Sequence, residues 1–397
     1  MRVSTYKINI DDERVDDLQR RLRSTRWPTA LDADSWEDGT SLAFLKELLA
    51  YWKDHFDWRA QEARLNRLPQ FIAEIDDLSI HFVHQRGNGP SPLPLILTHG
   101  WPGSFFEMEG IIPMLADPAA HGADPADAFD VVVPSLPGYG FSQAPGSAGI
   151  GPYEISGLWL KLMQGLGYET FCLQGGDIGA AVSSWLAYRF PQNTTALHLN
   201  YIPGSYRPPL DAGQAPISTE EQAFLDHAAQ WADSEGAYAH MQGTKPQTLA
   251  YALTDSPIGL AAWISEKFQA WSDGDIRTTF SLDALLIEIS IYWFSGTLDS
   301  SLRLYKESRK RPMHFKANER VLPPLGLAHF ARELPCRHAL GSNASMTSGD
   351  GPKCRREAIL QPWSGPSFWP KISALISAHS GRADHCGFPF FQVTLCP

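Results

Sequence analysis

Four short apolar runs, separated by helical stretches, constrain this chain more than any other feature. They are LPLILTH (residues 93–99), FDVVVPS (129–135), TFCLQ (170–174) and ALHLN (196–200). A fifth segment, LSIHFVH (78–84), alternates like a strand, and stretches such as ISGLWLKLMQGLG (155–167) read as helix. Buried strands that alternate with helices imply a mostly parallel sheet with crossover connections. The expected fold class is therefore α/β.

The rest of the chain frames that unit. Residues 1–75 read as a helical N-terminal segment: Val15, Leu18 and Leu22 recur at helical spacing behind Asp11 and Asp12, and Leu42, Leu45, Leu48, Leu49 and Trp52 make a second stripe. No chemistry is evident in it. Residues 76–205 form the first part of the core. Residues 206–310 turn helical again, through EEQAFLDHAAQWA, LAAWISEKFQAW and SLDALLIEISIYW, and read as a lid inserted over the sheet. Residues 311–336 resume the strand-and-loop style.

Gly175-Gly176-Asp177-Ile178-Gly179 stands directly after FCLQ and before the helix AAVSSWLAYRF. In the α/β-hydrolase fold this is the place of the nucleophile elbow, a tight strand-to-helix turn flanked by small residues. A serine is usual at its centre; here it is aspartate, at a helix N-terminus that favours an anion. Glycines around an aspartate also occur in ordinary turns, so the motif gains meaning from its neighbours. His99-Gly100-Trp101-Pro102-Gly103 occupies the place of the oxyanion loop, whose N–H groups meet a developing negative oxygen. The expected donors are the backbone N–H groups of Trp101 and Ile178, with His99 as a structural brace. Pro137-Gly138-Tyr139-Gly140-Phe141-Ser142 follows the next strand and lets the backbone turn close to the site.

With these motifs the chain resembles the epoxide hydrolase family, in particular its microsomal-type branch. The likeness runs from about residue 5 to residue 336 and includes YKINIDDERVDDLQRRLRSTRWP, HGWPGS, PGYGFS, LQGGDIGA, TKPQTLAYALTDSPIGLAAW and SSLRLYKES. The resemblance implies an α/β-hydrolase that adds water to a small apolar epoxide in two steps: a carboxylate forms an alkyl ester, then water cleaves it. It implies Asp177 as nucleophile, Tyr305 as proton donor and Glu333 as the acid orienting a histidine. It sets the second lid tyrosine at Trp263, a departure, since an indole N–H donates a hydrogen bond but no proton; Trp263 is then substrate-lining or plain packing. Detoxification or aromatic-hydrocarbon catabolism is the implied setting. The aromatic-rich lid (Trp263, Trp271, Tyr292, Trp293) suits an aromatic substrate or simple lid packing.

The resemblance breaks after Cys336. The family's water-activating histidine lies in a segment like GGHFAALE, which this chain lacks. Residues 337–397 are rich in Ser, Gly, Pro and Arg, contain three of the five cysteines, and read as an aberrant, disordered tail. The genetic code suggests a cause. Glu357-Ala358-Ile359-Leu360-Gln361-Pro362 can be encoded GAG GCC ATT TTG CAG CCC, and the same bases read from the third onward spell GHFAA. The same shift with permitted codons turns residues from Arg337 to about His379 into a family-like ending. One base lost near the codons for Cys336 and Arg337 accounts for this, and codons incompatible with the shift would refute it. On this reading the final strand and helix are lost, and none of His338, His379 and His385 replaces the missing histidine.

The other totals exclude rather than specify. A net charge of -11 argues against nucleic acid and anionic membranes as partners. The five cysteines show no CxxC spacing and form no disulfide framework. The N-terminus has no apolar signal region and no stretch approaches membrane-spanning length, so a soluble, cytoplasmic protein is expected. With no HExxH and no GxGxxG in strand–turn–helix context, neither metal nor cofactor is expected. The oligomeric state is not legible. Two rivals stay open. A haloalkane dehalogenase also uses an elbow aspartate, but often has tryptophan where Ile178 stands. A non-catalytic relic would keep the fold without turnover.

Overall fold

The computed structural model describes residues 1–200, 219–272, 274–314, 319–328 and 346–348. Its centre is a nine-stranded sheet of β1 (Arg2–Tyr6), β2 (Gln70–Ile75), β3 (Leu78–Gln85), β4 (Leu93–Thr98), β5 (Phe129–Pro134), β6 (Phe171–Gly175), β7 (Thr194–Leu199), β8 (Val321–Leu327) and β9 (Met346–Ser348). The spatial order is β1-β2-β3-β5-β4-β6-β7-β8-β9. The four apolar runs are thus four neighbours, β5-β4-β6-β7, joined in parallel. Every residue of β5 is buried, as expected for a strand covered on both faces. The first three strands pair antiparallel, and β3 joins β5 antiparallel.

The chain order reverses at β4, which has β5 on one side and β6 on the other. Ligands of open α/β sheets bind beyond the carboxyl ends of the strands at such a switch point. The residues following β4 and β6 are His99–Gly103 and Gly176–Ile178, so the topology brings the two motifs to one place.

Two expectations need correction. The N-terminal segment is not wholly helical, because β1 and β2 extend the central sheet. β1 is exposed almost throughout, so it has no apolar alternation to read, and β2 is only partly alternating. The helices Asp12–Arg23 and Leu42–Asp54 form as expected, the latter with Ser41 accepting the Phe44 N–H as its cap. The sheet also does not stop at β8. Residues 346–348 pair in parallel with it through an irregular register, Val321 with Met346 and Leu325 with Ser348. An uncovered edge strand offers unpaired N–H and C=O groups, and a short run of almost any sequence can satisfy some of them.

The lid lies between β7 and β8, and its described helices are Thr219–Glu235, Ala237–Thr244, Pro246–Leu253, Pro257–Ala270, Ile276–Thr279, Leu282–Ser295 and Leu298–Lys310. The N-terminal segment holds it. Arg21 donates to the Asp255 carbonyl (2.7 Å) and carboxylate (2.9 Å), Thr40 Oγ1 to the Ala262 carbonyl (2.7 Å), and Tyr51 Oη to Asp283 Oδ1 (3.0 Å). Among the described residues no helix is long and apolar enough to cross a membrane.

Candidate active site

Asp177 has φ +48°, in the left-handed region that a non-glycine residue enters at a cost of about 1–3 kcal/mol. That conformation turns β6 into the helix Asp177–Arg189 within two residues and sets the carboxylate at the helix N-terminus. The Trp101 N–H donates to Asp177 Oδ1 at 2.9 Å, and the Ile178 N–H also bonds the carboxylate. Burial pushes the Asp177 carboxyl above the ordinary range, and these two N–H groups pull it back. The oxyanion loop can come this close because position 100 is glycine; a Cβ there would collide with the Asp177 carboxylate.

His99 is a brace in this geometry. Its Nδ1 bonds the Gly100 carbonyl (3.0 Å), its Nε2 accepts the Leu136 N–H (3.2 Å), and burial lowers its pKa to about 4. The ring is therefore neutral, one nitrogen donating and the other accepting.

Three lid helices reach the loops around Asp177. Tyr292 Oη, on Leu282–Ser295, donates to the Gly103 carbonyl at 2.8 Å. On Leu298–Lys310, Ser300 Oγ donates to the Gly138 carbonyl (2.6 Å), and the Ser301 carbonyl accepts from Tyr139 Oη (3.0 Å). These bonds aim Tyr305 of that helix, whose ring meets Trp101 edge-on at 5.9 Å. Tyr238, on Ala237–Thr244, stacks on the same indole at 5.4 Å, and its hydroxyl faces that of Tyr305. Burial, then Tyr238 and the Asp177 charge, hold the Tyr305 phenol well above its ordinary pKa, so it remains a proton carrier.

Of the site residues expected from sequence, Asp177, Trp101, Ile178 and Tyr305 are thus brought together. Trp263 is not the second aromatic group of this cluster. Its indole N–H donates to Gln242 Oε1 (2.9 Å), one turn along the helix of Tyr238, so it braces the residue that takes that position. Trp271 and Tyr292 are buried, and their rings pack within the protein. Glu333 and the histidines 338, 379 and 385 lie outside the described residues.

Three residues near Asp177 carried no motif. Tyr238 sits in EGAYAHMQ, which lacks a recognisable pattern. Glu107 follows the oxyanion loop, and Glu288 occupies the middle of LLIEISIYW. A carboxylate inside an otherwise apolar helix was a readable signal, because such a group is rarely buried without a role.

Comparison with known proteins gives the family and the fold. Residues 3–108 match the family described as epoxide hydrolase N terminus, and residues 94–231 match the alpha/beta hydrolase fold. Epoxide hydrolase 1 of Oryctolagus cuniculus is 38% identical over 358 residues, covering 84% of this chain and 79% of that protein. A relative from Stigmatella aurantiaca (strain DW4/3-1), provisionally named an epoxide hydrolase, is 43% identical over 334 residues, covering 84% of this chain and 74% of its own. The solved structure of Aspergillus niger epoxide hydrolase superposes with a TM-score of 0.81 at 27% identity, covering 96% of this chain and 97% of that one.

Proposed function

The chain belongs to the epoxide hydrolase family, hydrolases that act on ether bonds, and we propose that it does its chemistry through an ester on Asp177. The Asp177 carboxylate attacks an epoxide carbon, and the C–O bond of the ring breaks. Tyr305 and Tyr238 donate to the oxygen that is released, giving a hydroxyalkyl ester. Water then adds to the ester carbonyl, the oxyanion is held by the N–H groups of Trp101 and Ile178, and collapse releases a vicinal diol. One observation carries this reading: the Asp177 carboxylate is held by two backbone N–H groups, and its charge acts on the Tyr305 hydroxyl, which is paired with that of Tyr238.

The substrate is a small apolar epoxide, in keeping with Ile178 and the Trp101 and Tyr238 rings around the nucleophile. A detoxifying role in the cytoplasm, on epoxides of aromatic hydrocarbons, fits that chemistry. Because the histidine segment is absent from residues 337–397, ester hydrolysis is the slow half of the reaction in this chain. A single base lost near Cys336 explains that absence, and the nucleotide sequence tests it.

The test of function uses styrene oxide in heavy-oxygen water. Diol release with heavy oxygen entering Asp177 is the expected result. Halide release from a chloroalkane, without diol from the epoxide, would favour a dehalogenase. Neither reaction, and no adduct on the Asp177 peptide, would leave a non-catalytic relic.

A further inference from the structure

A buried cation stands against the tyrosine pair. Lys267 lies in the last turn of the helix Pro257–Ala270, and its side chain is 8% exposed. A lysine is seldom buried so far unless its charge has partners. Its Nζ is 4.9 Å from the centre of the Tyr238 ring and 5.3 Å from that of Trp271, which meets Tyr238 edge-on at 5.0 Å. Tyr238 in turn stacks on Trp101, whose backbone N–H holds Asp177, and lies 5.8 Å from the Tyr305 ring. Among the described residues no other cation stands over the ring of Trp101, Tyr238 or Tyr305.

Two carboxylates anchor the ammonium. Glu266 Oε2 is 2.5 Å from Nζ, and Glu235 Oε2, at the end of the helix Thr219–Glu235, is 3.4 Å away. Their side chains are 27% and 30% exposed, against 8% for the lysine. Water therefore screens the two anions more than it screens the cation, and the cation is the charge that acts on the enclosed ring. Pairing with such partly exposed carboxylates does not require burial, which costs a cation its hydration. What burial adds is contact with the faces of two aromatic rings, one of which belongs to the site.

We propose that Lys267 is a positioning residue for epoxide opening: held against the Tyr238 ring, its ammonium makes the Tyr238 hydroxyl the stronger donor to the oxygen that is released. The proposal rests on Asp177 being the nucleophile and Tyr238 a donor. When Asp177 forms its ester, the C–O bond of the epoxide breaks and the freed oxygen takes a proton from the tyrosine pair. The negative charge lost by Asp177 thus reappears on a phenol oxygen. A cation over the ring attracts a phenolate more than a phenol, so its pull grows as the proton leaves. An interaction that strengthens toward the transition state raises the rate of the step rather than the affinity for substrate. Cleavage of the ester by water then yields the diol and a protonated Asp177, whose proton returns to the phenolate. Lys267 exchanges no proton in this cycle.

The test follows the full chain through a single turnover with styrene oxide across pH, with acid quenching and mass analysis of the Asp177 peptide. In the unaltered protein the ester forms, and its rate falls at alkaline pH as the tyrosine pair loses its proton. In Lys267→Met, ester formation slows by about tenfold or more, and the alkaline fall moves up by about one pH unit. Lys267→Arg, which keeps a cation at the ring, restores most of the rate and the parental fall. Glu235→Gln frees the ammonium of one carboxylate, so it does not slow the ester and moves the fall the other way, down in pH. On a Tyr238→Phe background, Lys267→Met changes ester formation by less than about twofold, whereas on Tyr305→Phe it again costs about tenfold. Parental behaviour of Lys267→Met, a full loss on the Tyr238→Phe background, or slowing in both Lys267→Met and Glu235→Gln would each overturn the proposal while leaving Asp177 as nucleophile. Unchanged ester formation in Tyr238→Phe alone would remove that donor, an ester on no variant's Asp177 peptide would remove the nucleophile, and this proposal falls with either.

Discussion

Asp177 and Glu107 are two enclosed carboxyls, the charge of the first acting on the second, and they meet different surroundings. Asp177 receives two backbone N–H groups at the start of a 13-residue helix. Glu107 is raised to about 8 by burial and by the Asp177 charge, with no cation among the described residues to offset them. Residue type is nearly the same and burial raises both, yet only Asp177 has backbone donors that pull it back toward the anion. Charge in this site is therefore assigned by where the backbone donors point, and the two loops after β4 and β6 make that assignment together.

The largest effect should come from erasing the anion. Asp177→Asn leaves the N–H cradle but removes the nucleophile, and kcat/KM for styrene oxide should fall by at least about 10,000-fold. Peptide mass analysis should find no ester.

Moving the anion, rather than removing it, comes next. Gly100→Ala places a Cβ against the Asp177 carboxylate. Misplacement of a nucleophile by about 1 Å can cost about 100-fold, so single-turnover ester formation should slow by that order with Asp177 still present. Ester formation at the parental rate would show that the close approach of the two loops is dispensable.

Tyr305→Phe acts on the other side of the comparison, by removing a proton rather than a charge. Ester formation should drop by about 100-fold, and Tyr238→Phe should behave alike, because the two hydroxyls work as a pair. A loss confined to one of them would assign proton donation to that residue alone.

Stability should report the charge assignment without any substrate. Glu107 has a raised pKa in the folded protein, so folding retains a proton that the unfolded chain loses above its ordinary carboxylate pKa. Its stabilising contribution is complete below that ordinary value and is lost as pH rises toward about 8. The melting temperature should fall over this range, and Glu107→Gln should flatten the fall. The smallest effect belongs to Trp263→Phe, which removes the bond to Gln242 at a cost of about 1 kcal/mol and should change turnover only modestly through Tyr238.

The sequence made the anion legible and the acid illegible. Asp177 stands in a strand–turn–helix motif whose local geometry its own neighbours dictate, and Trp101 follows a strand run that ends in glycine. Tyr305 was legible only through the resemblance of SSLRLYKES to the family, not from any pattern of its own. Tyr238 was not, since its place depends on a stack against Trp101, more than 130 residues earlier in the chain. The resemblance set Trp263 at that position instead, and the structure links Trp263 to the helix of Tyr238 by one side-chain bond. Glu107 and Glu288 were hidden for the same reason: Ser104, Glu107 and Glu288 meet only after the lid folds onto the oxyanion loop. In the fold, the central strands declared themselves through continuous apolar runs, whereas β1, exposed at the sheet edge, and β9, three residues long, had no pattern to show.

The stack on Trp101 has a consequence for how the lid can vary. Its backbone N–H touches the nucleophile, and its indole touches both tyrosines. The distance between the attacking oxygen and the proton donors is thus gauged by the thickness of one side chain, wherever the lid's other helices travel. Lids of this design can change length and loop sequence freely as long as they land on that indole, so substrate range can drift while the reach across a three-membered ring is kept.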